Sequence, residues 1–160
     1  MAGCLGLAQT YPHSKNYMPP PASNLTILLF GTFDILHPGH QSLFQQARRY
    51  GDTVVTVIAR DSTVKKLKKH SPFFTEKQRQ KNLQKTNWAD KVFLGDKKKY
   101  FKIIKKIKPD IICLGYDQKF FIKDLKEKIG EWELKIKIVK LKSFHPKKYK
   151  SSKYARYQIH

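Results

Sequence analysis

The sequence predicts an α/β domain built on a doubly wound, five-stranded parallel sheet, and three observations carry that prediction. From Asn24 onward, short runs of strand length alternate with stretches of helical apolar spacing, as βαβ crossovers require. Most of those runs are apolar throughout rather than alternating, as strands buried on both faces are. Five of them fall within about 137 residues, the size of one ordinary domain.

The elements follow in order. Leu25–Phe30 reads as the first buried strand. Leu43, Ala47 and Tyr50 then recur at helical spacing,. Thr53–Ala59 is β-branched and reads as the second strand,. Thr75–Thr86 is polar and helix-prone, with Thr75 as its N-cap,. Val92–Leu94 is a short third strand, and Asp96–Lys99 is expected to begin the next helix with a solvated face. Tyr100, Phe101, Ile104 and Ile107 mark that helix, which stops before Lys108-Pro109,. Ile111–Leu114 is a buried fourth strand containing Cys113, and Phe120–Ile129 a helix. Lys135–Leu141 alternates strictly, as a half-exposed edge strand does,. Ser151-Ser152 opens a last short helix. Met1 to Ser23, with Pro12 and Pro19 to Pro21, reads as a flexible tail before a single domain over 24–160,.

Composition narrows the function classes. No run approaches the roughly 18–20 apolar residues of a membrane span. Two cysteines, Cys4 and Cys113, make neither a disulfide framework nor a four-ligand zinc site,, so the cytoplasm is the expected compartment. The formal net charge is +21, which invites a nucleic-acid reading,. Of the 33 basic residues, however, only Arg48, Arg49, Arg60, Arg79 and Arg156 are Arg, and grips on phosphate or bases favour the planar guanidinium. Lys spread over every segment reads as compositional bias, and an anionic small-molecule substrate fits the surplus equally.

Ligands of such sheets bind beyond the carboxyl ends of the strands, near the point where the strand order reverses. The first strand is followed there by Gly31-Thr32-Phe33-Asp34-Ile35-Leu36-His37-Pro38-Gly39-His40. Gly31 permits a tight turn and close approach to the main chain. Pro38 suits the first turn of a helix. His37 and His40, three apart, share one side of that helix start, where unpaired N–H groups and the positive dipole end are expected to point. Two imidazoles there make a phosphate site whose donors follow charge as it develops. The plainer reading, two loop histidines with satisfied hydrogen bonds, is weaker for a pair at this spacing behind a strand. For Asp34 the structural role, fixing the loop, is preferred over contact with substrate.

The string GTFDILHPGH resembles the HxGH signature of the cytidylyltransferase-like nucleotidyltransferase superfamily. Four further segments are similar in order: Ala59 to Lys68 at the family's post-strand-two loop, Glu76-Lys77-Gln78-Arg79 at its E-x-x-R helix, Leu114-Gly115-Tyr116-Asp117-Gln118 after strand four, and Ser151-Ser152-Lys153 at its C-terminal motif. Coverage runs from Asn24 to Ile159. Within the superfamily, ARDSTVKKLK and LGYDQ look most like archaeal-type FAD synthases. Glycerol-3-phosphate cytidylyltransferases carry Gly-Asp-Asp-Trp where this chain has Gly115-Tyr116-Asp117-Gln118, and Arg-Thr-Glu-Gly where it has Pro146 to Lys150. FAD synthases often have cysteine near the C-terminal motif, whereas Ser143 to Lys153 has none.

The resemblance implies a Rossmann-like fold and transfer of AMP from ATP to FMN, releasing pyrophosphate, with Mg²⁺ carried by the ATP rather than by a protein cage. It implies contact of His37 and His40 with the triphosphate. It also implies a nucleotide cradle at Gly31, Thr32, Phe33 and Gly39, with Gly115, Tyr116 and Asp117 beside it. Lys68, with Lys65 as runner-up, would reach the α-phosphate, against the plain reading of a solvated lysine run. Ser151 and Ser152 would hold the β- and γ-phosphates, or simply cap their helix. Arg79 either pairs with Glu76 in one helix turn or points at substrate phosphates. Asp61 and Asp117 would orient acceptor or base, or hold a metal with the triphosphate. A homodimer is a further expectation. Two other readings stand beside this one: cytidylyl transfer to glycerol 3-phosphate or another phosphorylated acceptor, and a basic nucleic-acid-binding module without catalysis.

Overall fold

The apolar run after Asn24 becomes the centre of the sheet. In the computed structural model, which describes residues 24–119 and 122–149, β1 (Thr26–Gly31) pairs in parallel with β2 (Thr53–Ile58) on one side and with β4 (Ile111–Leu114) on the other. β3 (Lys91–Leu94) lies outside β2, and β5 (Lys137–Lys140) outside β4. The order β3-β2-β1-β4-β5 is parallel throughout, with its reversal between β1 and β4. The doubly wound α/β fold read from the sequence is therefore the fold observed. The expected tail over 1–23 and the expected helix at Ser151-Ser152 lie outside the described residues.

Pleating sends successive strand residues to opposite faces. Ile27, Leu29, Val54, Ile58 and Cys113 bury one face with Phe44, Ala47 and Leu83 of α1 (Pro38–Ala47) and α3 (Glu76–Thr86). Leu28, Val55, Val57, Ile112 and Leu114 bury the other with Ile104 of α4 (Lys102–Ile107) and Leu125 of α5 (Ile122–Glu131). Cys113 is a fully buried core residue whose thiol is pushed up to about 12 by burial. Trp88 packs on the first cluster and Trp132 on the second, where Lys105 Nζ lies over its ring. At the amino ends of the strands, Asp110 accepts from Thr26 N–H at 2.8 Å, and Asp90 from Val54 N–H and Arg48, both at 2.7 Å.

Several local expectations are corrected. The segment after β2 is a helix, α2 (Asp61–Lys68), not an open loop. Its Ser62-Thr63-Val64 run lowers helix propensity in the first turn and hides the helix from a propensity reading,. Burial of Thr63 and Val64, Asp61 in the first turn and three lysines in the last turn stabilise it,. Asp96–Lys99 does not begin α4. The Asp96 carboxylate accepts from the N–H groups of Lys98 and Lys99, which makes a turn of its own, and Tyr100 and Phe101 precede the helix,. α1 ends at Ala47, short of Tyr50. The edge strand shrinks to Lys137–Lys140. Thr75 does cap α3, in a capping box with Gln78,.

Candidate active site at the carboxyl ends of β1 and β4

α1 leaves β1 toward one face and α5 follows β4 on the other, so a crevice opens between their first turns,. The β1 turn is rigidly built. Phe33 sits in left-handed backbone (φ 47) yet is buried, with its ring folded back over Gly31. A Cβ on Gly31 would lie 2.6 Å from that ring, so any larger residue would force the Phe33 ring to shift. Left-handed backbone at a bulky residue costs about 1 kcal/mol or more, and burial of the ring against Phe44 and His40, each centroid 5.3 Å away, offsets it.

Three successive carbonyls of the turn are fastened. Phe30 O accepts from Gln118 Nε2, Gly31 O from Ala59 N–H, and Thr32 O from Arg79. A trans peptide aims its N–H opposite to its C=O, so the amides of Thr32 and Phe33 face away from Ala59 and Arg79. Asp34 does not face the crevice with a free carboxylate; its two oxygens accept from the N–H groups of Phe73 and Phe74 at 2.7 and 2.9 Å.

His37 is the N-cap of α1, and its Nδ1 accepts from Gly39 N–H at 3.1 Å. In the neutral ring this leaves the proton on Nε2. Gly39 has no room for a side chain, because a Cβ would lie 2.8 Å from the His37 ring. His40 stacks on His37 with centroids 3.9 Å apart and planes 21° from parallel. His40 Nδ1 is buried and has no hydrogen-bond partner among the described residues. Burial, then the positive charges of His37 and Lys68, push His40 down to about 3, and partial burial lowers His37. Two neutral rings can stack at this distance, whereas two imidazolium ions would repel.

One expectation fails here. The start of α1 does not offer unpaired backbone donors, because Pro38 has no N–H, Gly39 N–H is held by His37 Nδ1, and His40 N–H by His37 O. Donors at this helix end are imidazoles.

On the β2 flank, Arg79 is wholly buried and committed. It donates to Phe74 O, Thr32 O, Ala59 O and the Asp61 carboxylate at 3.2, 2.6, 2.7 and 2.7 Å. Neither sequence expectation for Arg79 is met: it pairs with Asp61 rather than Glu76, and its guanidinium faces main chain and Asp61. Glu76 instead pairs with Arg60 at 2.8 Å. Burial raises the Glu76 pKa, but the Asp61 N–H and Arg60 outweigh it and hold the carboxyl low. Asp61 and Glu76 cap each other's helices, each carboxylate accepting the other's N–H at 3.1 and 2.9 Å. Both Asp61 oxygens thus hold structural bonds, although the side chain is 40% exposed. Lys65 and Lys68 are exposed on α2, and Lys68 is near enough to act on His40. Among the described residues no cluster of His, Cys, Asp or Glu could hold a metal ion.

On the β4 flank, Gln118 Oε1 accepts from Gly115 N–H at 2.9 Å while its Nε2 reaches Phe30 O. This one side chain ties the two crevice loops together. The sequence reading passed over it, and its only signal was its place in the string after the fourth strand. Asp117 is exposed, and burial followed by the Asp117 charge pushes the neighbouring Tyr116 phenol upward. Also unread in the sequence were Tyr149, 14° from parallel with His37 at 6.3 Å, and Phe144 stacked beyond it at 5.9 Å. Ser151 and Ser152 lie outside the described residues.

The chain is similar to several known proteins. The chain is 42% identical over 118 residues to a FAD synthase of Aciduliprofundum boonei, covering 74% of this chain and 78% of that protein. It is 44% identical over 124 residues to a FAD synthase of Methanosarcina acetivorans, covering 77% and 81%. A crystal structure described as a lipopolysaccharide core biosynthesis protein from Thermoplasma volcanium superposes with a TM-score of 0.70 at 36% identity, covering 75% of this chain and 98% of that one. No helix among the described residues is long and apolar enough to cross a membrane. With the cytidylyltransferase-like family model matching residues 28–157, and the paired histidines seated at the sheet's reversal, this chain belongs to the cytidylyltransferase-like family.

Proposed function

We propose that this chain is a nucleotidyltransferase that moves AMP from ATP to FMN, giving FAD and pyrophosphate. The observation that carries the reading is the stacked pair of imidazoles at the sheet's reversal, one with a buried ring nitrogen that has no partner among the described residues. The names of the relatives supply the acceptor. A phosphate oxygen of FMN attacks the α-phosphorus, the bond to the pyrophosphate oxygen breaks, and pyrophosphate carries off the electron pair. No covalent enzyme intermediate is needed, so the protein's work is in-line positioning and charge neutralisation.

In this reading His37 and His40 donate to the triphosphate and gain positive character as negative charge gathers there. The amides of Thr32 and Phe33 contact the nucleotide, and Gly31 and Gly39 let ligand and imidazole close on the main chain. Lys68 reaches the α-phosphate, with Lys65 one turn behind it. Gly115, Tyr116 and Asp117 border the base, and Ser151 and Ser152 hold the β- and γ-phosphates. Asp34, Asp61 and Arg79 act as positioning residues. Mg²⁺ enters with ATP, bound through phosphate oxygens. The cytoplasm, and a homodimer testable by sedimentation velocity, belong to the same reading.

The test is to supply the protein with Mg²⁺ and either ATP or CTP, with and without FMN, and to measure pyrophosphate and FAD. FAD from ATP plus FMN is the expected result. Pyrophosphate release only with other phosphorylated acceptors would overturn FMN as the acceptor. No release with any acceptor, together with salt-sensitive nucleic-acid binding, would overturn nucleotidyl transfer.

A further inference from the structure

Five large hydrophobic side chains are exposed among the described residues: Tyr50, Leu67, Phe73, Tyr100 and Phe144. Phe73, 49% exposed, differs from a side chain at the tip of a mobile loop because its backbone is immobilised. Its N–H is bonded to the Asp34 carboxylate at 2.7 Å, and the next residue is held at both ends, Phe74 N–H by Asp34 and Phe74 O by Arg79. Pro72 fixes the chain before it,. The Phe74 ring meets it edge-on, with centroids 4.8 Å apart and planes at 89°. An aromatic face is thus held at a fixed place on the rim of the β1 turn.

The location relative to the reacting centre is constrained as well. Asp34 is three residues before His37, so the tether of Phe73 lies within about 10 Å of the catalytic helix start along the chain. The nucleotide belongs to the crevice between β1 and β4. Phe73 stands on the opposite, β2 flank, reached through the Arg79 and Asp61 bonds. In-line displacement puts the attacking and leaving oxygens on opposite sides of the α-phosphorus, so that flank is open to the acceptor. Lys65, Lys66, Lys68 and Lys69, all exposed on or just after α2, place positive charge in the segment that leads into Phe73. A flat apolar ring joined to a phosphate complements both features.

We propose that Phe73 is a specificity-determining residue, the face on which the planar ring of the phosphorylated acceptor stacks. The inference rests on the FMN reading and names the part of the site that recognises the ring. The ribityl chain of FMN separates its ring from its phosphate, which lets the ring lie on Phe73 while the phosphate reaches Lys68 and the α-phosphorus. Asp34 and Arg79 then have a shared purpose, holding this face against the turn that holds the nucleotide.

The experiment compares wild type with Phe73→Ala, Phe73→Leu and Phe73→Trp in FAD synthesis at saturating ATP and Mg²⁺, with FMN varied. Riboflavin, which has the ring without the phosphate, serves as a competing ligand. In Phe73→Ala the KM for FMN and the inhibition constant of riboflavin should each rise about five- to tenfold, the loss of one stacking contact. The KM for ATP and kcat should stay within about twofold, and Phe73→Trp should restore both constants. Phe73→Leu keeps an apolar side chain for folding but lacks the aromatic face, and should behave as Phe73→Ala does. Unchanged KM and inhibition constants in Phe73→Ala and Phe73→Leu, with wild-type FAD synthesis intact, would overturn the proposal. So would a fall in kcat alone. Absence of FAD synthesis by the wild-type chain would be a different result, removing the FMN reading and this inference together.

Discussion

Arg79 approaches the β1 turn from one side, and His37 and His40 approach it from the other. The guanidinium has four of its N–H groups bonded to three carbonyls and a carboxylate and is wholly buried. The imidazoles have one ring nitrogen committed to a cap, one buried without a partner among the described residues, and depressed basicity in both rings. A cation with its donors satisfied by main chain holds shape, because moving it would strand every group it serves. A polar group with an unmade bond beside a positive neighbour gains from an arriving anion. The two sides of one turn therefore divide into a rigid support and a responsive pair. Motif membership alone does not separate them, since Arg79 and His40 both lie in family-like motifs.

Removing Arg79 should have the largest effect. Arg79→Met leaves the Asp61 carboxylate and the carbonyls of Thr32, Ala59 and Phe74 without their donor, and should lower stability by about 3–5 kcal/mol. Urea unfolding reads this, and an unchanged midpoint would contradict the supporting role. His40→Ala should weigh the other way. It should cut kcat by about 10²–10³-fold, while the urea midpoint falls less than in Arg79→Met, because what is lost is the ring's packing on Phe33 and His37 rather than a buried ion pair,. Gly39→Ala tests the packing between them. Its Cβ would meet the His37 ring at 2.8 Å, so the imidazole must move, at a loss of up to about a hundredfold in rate,. Near-normal turnover would show that the ring's position is not critical.

The smallest effect is on pH dependence, and its sign follows from the depressed histidines. Between pH 6.5 and the folded value of about 3 for His40, the unfolded chain binds a proton that the folded chain refuses,. Stability should therefore fall as pH drops below 6.5, by about 1 kcal/mol over the first unit, and His40→Ala should flatten that slope. Triphosphate oxygens beside the imidazoles favour protonation, so ATP binding near neutral pH should take up a fraction of a proton. Calorimetry in buffers of different ionisation enthalpy detects it, and zero uptake would contradict direct contact between phosphate and imidazole.

Much of this was legible in the residues. The buried run Ile111–Leu114 matched its strand end for end, because an uninterrupted apolar segment has few ways to satisfy both faces,. Thr75 announced its helix through a capping box, a strictly local pattern,. α2 escapes the sequence because two of its supports, burial of Thr63 and Val64 and the Glu76 cap on Asp61 N–H, are not local, and its charged ends alone resemble a solvated lysine run. The partners of Glu76 and Arg79 were missed for the same reason: i, i+3 spacing suggested each other, and the fold offered better ones.

The alternation of strands and helices, the parallel sheet, and the placement of the two histidines at a strand's end are written in apolar period, turn chemistry and chain order. Which polar groups are spent and which are left without a bond depends on how the chain folds back on itself. Gln118, Asp34, Asp61 and Arg79 are drawn into bonds between segments far apart in the chain. His40, in contrast, is left buried near Lys68 with a nitrogen that has no partner among the described residues. Hydrogen bonding is satisfied by proximity in space, and spacing along the chain carries no record of it.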